Sequence, residues 1–132
     1  RRSGELAFAE SGITPDRIRY ASLYDSFTIT VLIALEDLGF CARGEAGSFV
    51  ESGGLVSGSG RLAVNTDGGG LSNNHPGNRG GMTKVIEAVR QLRDEAHPAV
   101  QVPELEWAVV SGTGFRLSSN HYSSTIVLER FE

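Results

Sequence analysis

The sequence predicts a layered α/β domain, and three observations carry that prediction. Helix and strand signals follow one another along the 132 residues. The segment from Phe27 to Leu38 carries Phe27, Ile29, Val31, Leu32, Ile33, Leu35 and Leu38, so it is apolar nearly all the way round. Such a helix belongs inside a layered structure rather than on a surface. Two compact apolar runs, Trp107 to Val110 and Thr125 to Leu128, suit central strands.

Taken in order, Glu5 to Ser11 reads as the last turns of a helix that Gly12 stops. Thr14, Pro15 and Asp16 supply a hydroxyl cap and a proline in the first turn. Only one turn fits there, because Arg17 to Tyr24 reads as a strand with Ile18, Tyr20, Ser22 and Tyr24 on one side. Asp25 or Ser26 is placed to cap the helix from Phe27 to Leu38, which Gly39 closes. Cys41 to Gly60 is loop-like, with Phe49 and Val50 as a short docking segment, and Arg61 to Asn65 fits a short strand. Val85, Ile86, Val89 and Leu92 recur at helical spacing within Thr83 to Ala96. Lys84, Glu87, Arg90, Arg93 and Asp94 lie elsewhere on that helix, so one face should be packed and one wet. His97-Pro98 ends it. Ser111 to Ser124 is expected to be a polar loop, ending in His121 and Tyr122, between the last two strands.

The length fits one domain, residues 1–132, and the net charge of −4 with scattered Arg and Lys argues against a nucleic-acid binder. The single cysteine, Cys41, excludes an intrachain disulfide framework and a cysteine zinc site, and fits a reducing cytoplasm. No apolar run is long enough to span a bilayer, and the start has no secretory pattern. The chain opens without methionine, as though part-way through a helix, so it is expected to be a piece of a longer protein. A helix apolar on every side points the same way, toward a partner domain or subunit.

The middle of the chain holds the main candidate for chemistry. Asn65 to Met82 packs six glycines into eighteen residues, a density that suits turning and close approach rather than regular structure. His75 is the one side chain there suited to acid–base or polarising chemistry near neutral pH, and Pro76 shapes the backbone after it. Taken alone, the stretch also fits a solvated turn before a helix. No nucleophile elbow, Walker sequence or dinucleotide fingerprint is present, and His75, His97 and His121 lack metal-ligand spacing. What remains is positional: Tyr24 at a strand end, His75 in the glycine loop and Tyr122 after the penultimate strand, all where layered α/β folds gather chemistry. Both tyrosines also fit ordinary half-buried positions.

Three segments together resemble a known family. Tyr24-Asp25-Ser26-Phe27 stands before an apolar helix, and Val64-Asn65-Thr66-Asp67-Gly68-Gly69-Gly70-Leu71-Ser72 leads to His75-Pro76-Gly77. A glycine-rich turn then follows the penultimate strand. This order resembles the C-terminal half of a thiolase, in the sterol-carrier or lipid-transfer-protein branch. The resemblance covers essentially the whole chain. It implies the thiolase-like layered α/β/α fold, an N-terminal half holding the nucleophilic cysteine, an acyl-CoA substrate with no separate cofactor, no metal, and a homodimer.

The departures from the family pattern narrow the chemistry. The sterol-carrier branch carries His-Asp-Cys-Phe where this chain has Tyr24, Asp25, Ser26 and Phe27, and a serine hydroxyl cannot replace a thiol as proton carrier. Other thiolases place an acid–base cysteine in a C-terminal Cys-x-Gly turn, here Ser111-Gly112-Thr113-Gly114. Cys41 is at neither place. Tyr24 with Tyr122 is instead similar to the thiolase-like aldolases of bacterial steroid side-chain breakdown, which cleave β-hydroxyacyl-CoA thioesters beside a small OB-fold partner of DUF35 type. On that resemblance His75 donates to the thioester oxygen, Tyr24 and Tyr122 handle protons in an order the sequence leaves open, and Gly112 or Gly114 offers a backbone N–H. Asp25 caps the helix. Two other readings stand beside it: thiolase-type condensation or cleavage as in acetyl-CoA acetyltransferases, and a non-catalytic thiolase-like subunit.

Overall fold

The computed structural model describes the backbone of residues 1–75, 80–117 and 119–131, and the side chains outside 115–121. Among the described residues, strands β1 (Tyr20–Leu23), β2 (Ala63–Val64), β3 (Trp107–Leu117) and β4 (Ser119–Glu129) form one sheet in the order β2-β1-β3-β4. β1 pairs in parallel with both β2 and β3, and β4 runs antiparallel to β3. The three parallel strands therefore present their carboxyl ends at a common edge.

Helices α1 (Arg2–Ser11), α2 (Thr28–Asp37) and α3 (Ala46–Glu51) contribute Phe8, Leu35, Ala46 and Phe49 to one core, against Ala21, Leu23 and Val109. The alternate residues, Tyr20, Ala108 and Val110, pack on Ala88 and Leu92 of α5 (Gly80–Leu92). Successive strand residues point to opposite faces, so the two clusters are the two sides of one sheet, and the fold is the layered α/β/α arrangement. All four residues of β1 are buried, as a strand covered on both faces must be. At the end of α1, Gly12 turns into the left-handed region at φ 69°, its N–H reaching the Phe8 carbonyl at 3.0 Å.

Five expectations are corrected. Thr125–Leu128 is not a central strand: it lies in β4, at one edge of the described sheet, and Ile126 there is 45% exposed. The stretch from Ser111 to Ser124 is not a loop: β3 and β4 continue as an antiparallel ladder, with Gly112 opposite Ser124 and Gly114 opposite Tyr122. Main-chain pairing holds this part of the hairpin, so its polar side chains do not signal a break. Ala46–Glu51 is a short helix rather than loop, because Ala46 and Phe49, three residues apart, both reach the core.

α2 is not enclosed on every side. Leu35 is fully buried, while Ile29 and Ile33 are 57% and 51% exposed, so the segment's apolar surplus faces outward. On α5, Lys84 and Glu87 point inward with Gln91, not to the wet face. Each has a polar neighbour there: Glu87 accepts from the Thr66 hydroxyl at 2.6 Å and Gln91 donates to the Val100 carbonyl at 3.0 Å. Lys84 belongs to the site.

Candidate functional site

Tyr24 follows β1 directly. Its N–H donates to the Ser111 carbonyl at 2.9 Å, which holds it at the carboxyl edge of the parallel strands. Asn65 follows β2 at the same edge with φ 49°, and its side-chain amide pairs with the Leu23 backbone, accepting the N–H at 2.8 Å and donating to the carbonyl at 3.0 Å. This extends the β1–β2 pairing by one side chain and fixes where the glycine stretch begins. Gly68 and Gly69, at φ 91° and 63°, then turn the chain into α4 (Gly69–Ser72), a single helical turn that leads to His75.

The structure brings Tyr24 and His75 together. The Tyr24 hydroxyl and Nε2 of His75 lie 2.9 Å apart, with ring centroids 5.7 Å apart and planes tilted by 42°. His75 is exposed and Tyr24 half-buried. The Tyr24 ring lies against Gly80 at the start of α5, where a β-carbon would come within 3.1 Å of it. Gly70 is as tightly placed: a β-carbon there would meet the Asp25 carboxylate at 3.1 Å and the His75 ring at 3.2 Å. Pro76, which follows His75, lies outside the described residues.

Asp25 does not cap α2; that end is closed by Thr30, whose hydroxyl takes the Phe27 N–H at 3.2 Å. The Asp25 carboxylate turns to the glycine stretch instead, accepting the N–H of Gly70 at 2.8 Å and of Leu71 at 3.2 Å. Lys84, buried, approaches Asp25 at 3.5 Å and Asp67 at 4.0 Å. Burial works to raise the Asp25 carboxyl, but the two amides and the Lys84 ammonium outweigh it and hold it below the ordinary carboxylate value. Asp67 accepts from the Gly69 N–H at 3.0 Å and from the Asn74 side chain at 2.5 Å. Sequence reasoning missed Lys84 and gave Asp25 the wrong partner. The available signal was a lysine one turn inside the helix that follows the glycine stretch, facing the same way as Ala88 and Gln91.

Tyr122, on β4, shares the sheet face of Leu128 and Val110 by strand alternation, and that face carries α5 and the Tyr24 ring. It is 69% exposed. Gly112 and Gly114 lie in β3. Because the Ser111 carbonyl faces β1, alternation turns the N–H groups of Gly112 and Gly114 toward β4 and leaves that of Thr113 toward the edge beyond Tyr24. The His121 side chain lies outside the described residues.

Tyr24, Thr30, Ile33, Ser111, Thr113 and Ser123 border a groove of about 290 Å³ at this edge. Tyr20 takes no part: burial pushes its phenol well above the ordinary value, and it fills the core beneath α5. Cys41 packs beside the α2–α3 core, its thiol raised by burial and by Glu36 and Glu45. Among the described residues, no helix is long and apolar enough to cross a membrane.

A three-layer α/β/α domain with a glycine-built loop and a histidine–tyrosine pair at the carboxyl edge of its parallel strands defines the class. Residues 1–130 match the thiolase C-terminal domain-like family, and the chain belongs to it. It is 43% identical over 112 residues to a 17-hydroxy-3-oxo-4-pregnene-20-carboxyl-CoA lyase of Mycobacterium tuberculosis, covering 84% of this chain and 28% of that protein. It is 49% identical over 90 residues to a steroid side-chain-cleaving aldolase of Thermomonospora curvata, covering 68% and 22%. Bovine (Bos taurus) sterol carrier protein 2 is 32% identical over 114 residues, covering 86% and 21%. A solved Ltp2-ChsH2(DUF35) aldolase superposes with a TM-score of 0.81 at 36% identity, over 98% of this chain and 31% of that one. The chain thus spans less than a third of each of these proteins.

Proposed function

We propose that this chain is the C-terminal part of a thiolase-like enzyme that cleaves a β-hydroxyacyl-CoA by a retro-aldol reaction. The observation that carries the reading is the 2.9 Å contact between the Tyr24 hydroxyl and His75 Nε2. A phenol alone is a poor base at neutral pH; a phenol that passes its own proton to an imidazole as it accepts another is a competent one. Tyr24 takes the proton of the substrate β-hydroxyl while its phenolic proton moves to His75. The Cα–Cβ bond breaks, Cβ departs as a carbonyl, and the electron pair enters the thioester as an enolate. Tyr122 returns a proton to Cα, and solvent restores both residues. No acyl-enzyme forms, so the absence of cysteine from Tyr24–Phe27 and Ser111–Gly114 costs the reaction nothing.

His75 serves here chiefly as proton acceptor; donation to the thioester oxygen needs Nε2 to leave Tyr24. The β3 glycines are weaker candidates for the oxyanion than Thr113, because their N–H groups turn to β4 while that of Thr113 turns to the edge beyond Tyr24. The names of the similar proteins support a steroid-derived acyl group and an OB-fold partner of DUF35 type. The exposed apolar side of α2 supports an N-terminal half packed against it.

The test uses the full-length protein with its DUF35-type partner and 17-hydroxy-3-oxo-4-pregnene-20-carboxyl-CoA as probe. Release of a C17 ketone and a shortened acyl-CoA, lost in Tyr24→Phe and Tyr122→Phe with assembly unchanged, is the expected result. Cleavage by both variants at the wild-type rate overturns the assignment.

A further inference from the structure

Lys84 is 1% exposed, and its ammonium makes no hydrogen bond among the described residues, only approaches of 3.5 Å to Asp25 and 4.0 Å to Asp67. An ammonium taken out of water is costly unless charge compensates it, so a lysine in this position calls for an account. The two carboxylates it lies between both hold the glycine turn. Asp25 accepts from Gly70 and Leu71, forty-odd residues away in sequence, and Asp67 accepts from Gly69 and Asn74. Asn74, the neighbour of His75, also accepts from the Thr83 hydroxyl at 3.1 Å, and Thr83 is next to Lys84 on α5. The first turn of the same helix carries Gly80 against the Tyr24 ring.

We propose that Lys84 is a positioning residue: its buried ammonium anchors Asp25 and Asp67, and through them the Gly69–Asn74 turn that sets His75 against Tyr24. The inference rests on the role given to the Tyr24–His75 pair above. Without the cation, two carboxylates face each other across a buried space and repel, and one of them must move or take up a proton. Either change loosens the amides that carry His75. A displacement of about 1 Å at the imidazole is enough to lower the rate about 100-fold.

The experiment is a double-mutant cycle in the full-length protein, with 17-hydroxy-3-oxo-4-pregnene-20-carboxyl-CoA as probe. Lys84→Met should lower kcat by about 10- to 100-fold, with KM within about threefold of wild type. In a His75→Ala background the same change should cost less than about twofold, because the group that Lys84 positions is gone. Asp25→Asn/Lys84→Met removes the ammonium together with its nearer carboxylate, so no two carboxylates are left to repel, and it serves where the single variant does not fold. Its kcat should also fall, since the Gly70 and Leu71 N–H groups go to different carboxylate oxygens and an asparagine would set its NH2 against one of them. Folded Lys84→Met or double variant at the wild-type rate, with His75→Ala slow, overturns the role of Lys84 alone. An equal loss in both backgrounds also overturns it, in favour of a general structural role. His75→Ala at the wild-type rate overturns the function of the pair and this inference with it.

Discussion

The hydroxyl of Tyr24 and Nε2 of His75 lie 2.9 Å apart although fifty-one residues separate them in sequence. Tyr24 is placed by the end of β1 and His75 by a turn tied to Asp25, the residue next to Tyr24. One dipeptide therefore supplies a member of the pair and the anchor of the other. Removing the Tyr24 hydroxyl as Tyr24→Phe should lower kcat for the probe substrate by about 10² to 10⁴ with little change in KM. Steady-state kinetics checks this, and an unchanged kcat would remove Tyr24 from the chemistry.

Asp25 makes stability depend on pH in a definite direction. Its carboxyl titrates lower in the folded chain than its ordinary value of 3.8, so the folded state binds the proton less readily than the unfolded one. The stabilisation is then complete above about pH 4 and fades as pH falls through the folded value. Asp25→Asn should be less stable at pH 7 and show a flatter decline between pH 5 and 3. Urea unfolding across that range checks it; parallel curves for the two proteins would count against the pairing.

Gly69 combines φ 63° with a position where a β-carbon would collide with the Asp25 carboxylate. Gly69→Ala should cost about 2 kcal/mol or more, from left-handed strain and the collision with Asp25. The variant should also lose rate, because the collision acts on the same anchor. A denaturation midpoint equal to wild type would show that the turn yields freely.

Leu35 is fully buried, in one core cluster with Leu23, Leu38 and Val109. Leu35→Ala should destabilise by about 2–5 kcal/mol, through lost burial and the cavity left behind. Calorimetric or denaturant unfolding measures it.

Ile29 and Ile33 separate the isolated reading of α2 from the one proposed here. At 57% and 51% exposure, Asp at either position would ordinarily cost under about 0.5 kcal/mol. If an N-terminal half covers this side, Ile33→Asp in the full-length protein should cost as much as a core substitution, several kcal/mol, because an unpaired charge is buried. Thermal unfolding of that protein decides between them, and a wild-type melting temperature would leave the side of α2 wet.

The sequence by itself determined what is local. Gly12 and Gly39 mark helix ends whatever surrounds them, Trp107–Val110 is apolar enough to be a central strand, and the glycines from Gly68 to Gly70 mark a change of chain direction. The family, too, was legible, because its motif is contiguous from Val64 to Gly77. Tertiary structure alone decided the rest. Polar residues such as Thr113 and Ser123 join a ladder when a strand lies opposite, since the backbone bonds do not depend on side-chain polarity. Lys84 reads as a surface lysine until two carboxylates from separate loops meet it in the interior, and Asp25 reads as a helix cap until the Gly70 N–H takes its carboxylate. Helical periodicity records which side chains share a face. It does not record whether a charge on that face will find its counter-charge, and here Lys84 finds one in Asp67 across the glycine stretch and the other in Asp25 at the end of the first strand.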